Sequence, residues 1–275
     1  MTDGPKESAS ILTRVGHAGW EDHRHFGCSV FSELLGFESY TGLMALAVTG
    51  RRLPPEQCCV LDDIACVLTV ADPRIWPPKA IRVASSYGSL SSSLAVGCFF
   101  LESRVLGPWT SGFAAKFLED IASEAVLAAG EIERIRNSIA SVLNERGRLI
   151  GFGVPFRRRD ERLEALRRSI ELRGRHKLPY WQLFEIVADI VGELSGLAPN
   201  IGIGVAAACL DLGFEPEEIS PLVISLNLNV LIANAVEGCN EEAACLRRMP
   251  DARIEYLGKR NRTSPRSNRS QPGRE

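Results

Sequence analysis

Apolar residues recur every three to four positions through most of this chain, and few stretches show the strict alternation of apolar and polar residues that marks a half-buried strand. The pattern predicts helices over roughly 30–49, 56–71, 77–98, 110–145, 160–173, 179–195, 199–212, 216–237 and 240–246. The breaks carry their own chemistry. In VTGRRLPPEQ, Gly50 can close one helix and Pro54-Pro55 can begin the next, with Glu56 near its positive end. DPRIWPPKA repeats the device ahead of AIRVASSYGSLSSSLAVGCFFLESRVL, a window crowded with small residues from Ser85 to Gly97. Those small side chains would let another helix, or a ligand, lie close to the backbone. Further on, Gly107-Pro108 marks a turn, and the glycines and proline of ERGRLIGFGVPFRRRDERLEALRRS suit a tight loop leading into a strongly basic helix.

Composition narrows the picture. With 275 residues, 45% hydrophobic and 24% charged, the chain can bury a sizeable core. Its net charge of -2 argues against a general nucleic-acid or acidic-lipid surface. Between Arg157 and Lys177, nine basic residues face four acidic ones, a patch that reads as a solvated flank, a dimer rim or a clamp for phosphates. Residues 259–275, KRNRTSPRSNRSQPGRE, read as a disordered basic tail.

MTDGPKESAS lacks a basic stretch leading into an apolar run, so no secretory leader is expected and a cytoplasmic location is. A membrane span is not expected either: the strongest candidate, LAPNIGIGVAAACLDLGF, is short and interrupted by Pro199. The eight cysteines lack paired C-x-x-C spacing and sit mostly among apolar neighbours, as buried core thiols do. GIGVAA lacks the strand-led context of a dinucleotide fingerprint. Only His17, His23, His25 and His176 are available to any chemistry that needs imidazole.

Several segments, in order, resemble the citrate synthase family, including its short citryl-CoA lyase members. They are FSELLGFESYTGLMALAVTGRRLPPEQ, the helix after Pro78, the GPWTSG turn, the GFGVPFRRRDER loop, LAPNIGIGVAAACLDLGF, SLNLNVLIANAVE and RIEYLG, spread over about 240 residues. The resemblance implies an all-α protein with a large domain over 10–150, a small domain with a coenzyme A loop over 151–215, and a return to the large domain over 216–258. It also implies a homodimer built on antiparallel helices, and a site between the domains for coenzyme A or an acyl-CoA. No permanently bound cofactor is implied.

Family chemistry uses a carboxylate to remove a proton beside a thioester and two imidazoles to stabilise the enolate and the oxoacid carbonyl. This sequence departs at each position. Thr110 stands in GPWTSG where the resemblance places the first imidazole, Val154 stands in GFGV at the second, and Gly202 stands in NIGI at the carboxylate. Asn227 and Asn234 match the family's substrate-binding arginine and histidine, and Pro73 falls near a further histidine. An amide cannot reproduce the bidentate, charged grip of a guanidinium on a carboxylate.

Candidate groups for altered chemistry are Thr110, Asp72, Asn200 and Asn234, which can orient a carbonyl or act as a displaced base. Gly151, Gly153, Arg157, Arg158 and Arg162 match the family's phosphate-binding loop, with Glu161 in place of a proline. Two functions fit these residues. One is a divergent protein binding a CoA thioester, with altered acyltransferase or lyase-type chemistry. The other is a noncatalytic homologue that serves as a structural or regulatory subunit, paired in a heteromer with a homologous active chain.

Overall fold

The structure, a computed structural model, describes residues 10–102, 107–125, 131–154, 157–241 and 250–259. Eleven α-helices account for most of it: α1 Tyr40–Thr49, α2 Pro55–Val67, α3 Trp76–Tyr87, α4 Leu90–Leu101, α5 Pro108–Ala125, α6 Glu131–Arg146, α7 Glu161–Leu172, α8 Pro179–Ser195, α9 Ile201–Asp211, α10 Pro216–Leu226 and α11 Leu228–Cys239. The expected all-α class holds. Ahead of α1 lie three short antiparallel strands, β1 Gly16–Ala18, β2 His23–His25 and β3 Cys28–Ser29, then a π-helical turn at Val30–Leu34. Periodicity over 30–49 predicts one helix, but the backbone becomes α-helical only after Ser39, whose hydroxyl accepts the Gly42 N–H at 3.0 Å.

Three further predicted helices are each two. Gly88 and Ser89 divide the 77–98 window, where Ser89 and Ser92 form a reciprocal capping box that starts α4 afresh. The 110–145 window holds α5 and α6, and the 216–237 window is interrupted at Asn227 between α10 and α11. Most of 240–246, and nearly all of the basic tail, lie outside the described residues. The membrane expectation also needs correction. Pro216–Cys239 is long and apolar enough to span a bilayer, and Ile219–Val236 carries no charge. Part of that apolar surface faces the interior, where Ile219, Leu222, Val223, Leu226, Val230, Leu231 and Ala235 are buried, while Ile232 and Val236 are exposed.

One helix organises the core. All ten residues from Ile201 to Leu210 in α9 are buried, and α9 packs against α5, α7, α8 and α10. A single apolar cluster runs from α1 and α2 through α5, α7, α8 and α9 to α10. At the far end of α9, the half-buried Asp211 carboxylate accepts the N–H groups of Tyr180 and Trp181 at 3.0 and 2.9 Å, capping α8 from outside its own segment. Burial pushes the Asp211 carboxyl upward, and the two backbone donors oppose that rise. Of the cysteines expected in the core, Cys58 and Cys209 are buried, whereas Cys66 and Cys239 are exposed on helix surfaces. Burial lifts the Cys209 thiol to about 12.

A second, smaller cluster of Ile81, Leu101, Leu231 and Ala235 joins α3, α4 and α11. Here the small residues do what their size allows. A Cβ on Gly238 of α11 would overlap the Ser85 hydroxyl and lie 3.0 Å from the Arg82 carbonyl oxygen, and one on Gly97 of α4 would overlap the Ile81 side chain. The α2–α7 contact is polar as well as apolar. Asp63 accepts from the Ser169 hydroxyl and from Arg173 Nε and Nη2, at 2.5 and 2.9 Å for the guanidinium.

Gly238→Val should destabilise the protein by about 1–3 kcal/mol by forcing α3 and α11 apart, read as a lower urea midpoint. The Arg173 hydrogen bonds hold the Asp63 carboxyl below its ordinary value despite partial burial. Because the folded value is depressed, the stabilisation is present above the unfolded carboxylate value of about 4 and is lost as pH falls through the folded value. Asp63→Asn should therefore cost about 1–2 kcal/mol at pH 7 and much less near pH 2, measured by urea unfolding at both.

Candidate functional site

The loop at 149–154 and the segment leading into α9 are zipped together. Gly153 N donates to the Ala198 carbonyl at 2.7 Å, Asn200 N donates to the Gly151 carbonyl at 2.9 Å, and Phe152 and Pro199 form an isolated β-bridge. Gly151 and Gly153 both have φ of 87°, a conformation that glycine adopts without strain. Their surroundings differ. A Cβ on Gly151 would lie 2.7 Å from the Ile203 Cβ, so this glycine lets the loop press onto α9; one on Gly153 would meet open space.

Asn200 is the N-cap of α9. Its Oδ1 accepts the Gly202 N–H at 2.9 Å and its Nδ2 donates to the Gly153 carbonyl at 3.2 Å, so its amide holds the loop and the helix start together. Thr110, in the first turn of α5, donates its hydroxyl to the Gly107 carbonyl at 2.6 Å. The same oxygen would lie 3.1 Å from a Cβ built on Gly202. Thr110, Asn200, Gly202 and Gly153 are thus brought into one cluster where α5, α9 and the loop meet.

Asp72 and Asn234 form a different pairing. The buried Asn234 side chain, on α11, donates to the carbonyls of Ala71 and Val230 at 3.2 and 3.0 Å and so secures the turn before α3. Asp72, next along that turn, is gripped by Arg74 through Nε at 2.8 Å and Nη2 at 2.5 Å, with the Arg74 N–H at 2.9 Å. The Arg74 side-chain hydrogen bonds hold the Asp72 carboxyl down at about 2. A carboxylate so stabilised is a weak base at neutral pH. Asn227 turns back to the Val223 carbonyl at 2.8 Å.

The basic residues after the loop have separate fates. Arg157 and Arg158 are exposed, and Arg157 pairs with Glu161 one helical turn away. Arg162 is committed to Asp160, with Nε to Oδ1 at 2.9 Å and Nη2 to Oδ2 at 2.8 Å. Asp160 is only 2% exposed and also receives the backbone N–H of Arg162 at 3.1 Å and of Ile201 at 2.9 Å. Burial acts to raise its pKa, but the Arg162 hydrogen bonds and the Ile201 N–H outweigh that, leaving the carboxyl below its ordinary value. Sequence reasoning passed over Asp160; its one local signal was its place as an acidic N-cap before the basic helix.

The imidazoles lie elsewhere. His17 is on β1, His23 and His25 are on β2, and His23 stacks on Phe31 with ring centroids 5.0 Å apart. His176 helps line a cavity of about 510 Å³ between α7 and α8, together with Arg167, Glu171, Trp181, Gln182, Glu185 and Ile186. That lining shares no residue with the Thr110–Gly202 cluster.

No protein-family model matches the sequence, and no curated protein matches it. Among solved structures, citryl-CoA lyase from Hydrogenobacter thermophilus superposes with a TM-score of 0.79 at 18% identity, covering 94% of this chain and 99% of that one. ATP citrate lyase from Methanothrix soehngenii, in complex with citrate and coenzyme A, gives 0.72 at 18% identity over 92% of this chain and 42% of that one. Citrate synthase from Thermotoga maritima gives 0.60 at 16% identity, covering 82% and 60%.

Placing a carboxylate in the cluster should be costly. A Cβ at Gly202 would sit 3.0 Å from Asn200 Oδ1 and 3.1 Å from Thr110 Oγ1, so Gly202→Asp should lose about 1–3 kcal/mol by urea unfolding, with Thr110→Ala in the same chain recovering part of it. The order of helices, together with a superposition that spans nearly the whole of one citryl-CoA lyase, gives this chain the fold of citryl-CoA lyases and citrate synthases.

Proposed function

We propose that the chain binds a coenzyme A thioester at the meeting of α5, α9 and the 149–154 loop, with chemistry that departs from citrate-type condensation. One observation carries the reading. Thr110 and Gly202, which the sequence resemblance sets at the first imidazole and the carboxylate, adjoin one another, with Thr110 Oγ1 3.1 Å from a Cβ built on Gly202. Support for the ligand comes from the fold neighbours described in complex with coenzyme A and with (3S)-citryl-CoA.

The groups in place can polarise but cannot exchange protons at neutral pH. The Thr110 hydroxyl donates its proton to Gly107, Asn200 Oδ1 accepts from Gly202, and Asn200 Nδ2 uses one of its two N–H groups on Gly153, so the second Nδ2 N–H is the group proposed to polarise a carbonyl. Acyl transfer or cleavage of a polarised carbonyl is compatible with such groups; abstraction of a weakly acidic α-proton needs a base that the cluster lacks among the described residues. Arg157 and Arg158, exposed a few residues after Gly153, are the proposed phosphate contacts.

A second reading keeps the ligand and abandons the reaction: a noncatalytic subunit, as a homodimer or beside a homologous active chain. It is favoured by Asn234, which stands at a substrate-binding position but is buried and bonded to backbone carbonyls. Calorimetry with coenzyme A and acetyl-CoA separates binding from its absence. Arg157→Gln with Arg158→Gln should weaken coenzyme A about tenfold, and dephospho or depyrophospho fragments less. If acetyl-CoA loses its α-protons to deuterated solvent in the presence of the protein, the claim of altered chemistry is wrong. Turnover of any acyl-CoA without that exchange favours the enzyme, and binding without turnover favours the subunit.

A further inference from the structure

We propose that Asp160 is the positioning residue of this site and that Arg162 serves as its counter-ion rather than as a contact for phosphate. The proposal rests on the functional reading above and adds a residue to it. The Asp160 side chain is 1% exposed, and a carboxylate withdrawn from water to that extent needs charged and hydrogen-bonding partners. It has four donors: the N–H, Nε and Nη2 of Arg162 and the N–H of Ile201.

These bonds tie the first turn of α7 to the first turn of α9. Ile201 lies between Asn200, which grips Gly153 and Gly202, and Gly202, which abuts Thr110. Asp160 therefore sets where the start of α9 stands relative to the glycine loop. Turning Arg162 outward to a phosphate would strip the buried carboxylate of its only charged partner among the described residues, a larger loss than a solvent-exposed phosphate contact returns. Phosphate recognition is left to the exposed arginines before it.

A double-mutant cycle on the full chain tests this, with two readouts: the coenzyme A dissociation constant by calorimetry, and hydrogen exchange of the Ile201 amide by NMR. Asp160→Asn and Arg162→Gln should each weaken coenzyme A about tenfold and speed Ile201 exchange by a similar factor, and the double variant should be little worse than either. Arg162→Lys should restore much of both. Arg158→Gln should weaken coenzyme A and leave Ile201 exchange unchanged.

The proposal is overturned if Arg162→Gln weakens coenzyme A without changing Ile201 exchange, or if its effect persists in full in the Asp160→Asn background. Those results would assign Arg162 to the ligand. If the unaltered chain binds no coenzyme A, the functional reading fails by itself; the exchange data then decide the positioning role, and an Ile201 amide equally protected in both single variants overturns it.

Discussion

A carboxylate buried at the junction of two helices constrains everything around the candidate site. Desolvating Asp160 costs several kcal/mol unless its oxygens are filled, and the filling groups come from both helices at once: the guanidinium and N–H of Arg162 on α7 and the Ile201 N–H on α9. The compensation is geometric. Either helix start moving by the length of a hydrogen bond leaves a buried charge short of a donor. Around that fixed point the loop carrying Gly151 and Gly153 is stitched to Asn200, and Thr110 closes against Gly202. Asp211 repeats the device at the opposite end of α9, where its carboxylate caps α8. The central apolar helix is thus located by polar contacts at both termini, while its sides are held by packing.

Elsewhere the fold depends on how closely backbones approach. Gly238 against Ser85, and Gly97 against Ile81, bring α11 and α4 onto α3 with no room for a larger side chain. Close packing of this kind makes volume, rather than polarity, the property that matters at these positions. The α2–α7 contact differs, since two helices that both contribute to the main apolar cluster are also joined by the Asp63–Arg173 pair.

The chemistry follows from the same geometry. Thr110 and Gly202 lie together because α5 and α9 pack, and that packing is a property of the fold, retained at 16–18% identity to citrate synthase and citryl-CoA lyase. What the cluster can do chemically is a property of its side chains, and hydroxyl and amide groups can donate hydrogen bonds but are not bases at neutral pH. The one candidate carboxylate, Asp72, is bound by Arg74 and sits on another turn. Scaffold and reactivity are separable, so shared architecture at this identity establishes the fold and leaves the chemistry to the side chains at the site.

The helical class, most helix starts and the ordered family segments were legible in the sequence, because periodicity, proline pairs and glycine turns are local signals. Gly50 does end α1 in the left-handed conformation, and Pro55 does begin α2. Breaks such as Gly88-Ser89 and Asn227 were not legible, because an apolar stripe can continue across a change of helix axis. The charge-free stretch Ile219–Val236 shows the same limit: composition alone does not say which of its apolar residues pack inside, and contacts with α1, α3 and α5 set that. Site residues divide in the same way. Motif order draws attention to Thr110 and Gly202, which the structure places side by side, but the contacts of Asp160, Arg162, Asn200 and Asn234 depend on partners up to 163 residues away in the chain. Side-chain identity is written in the sequence; which donors a buried polar group meets is decided only when distant segments pack, since the cost of leaving it unpaired arises only once water is excluded.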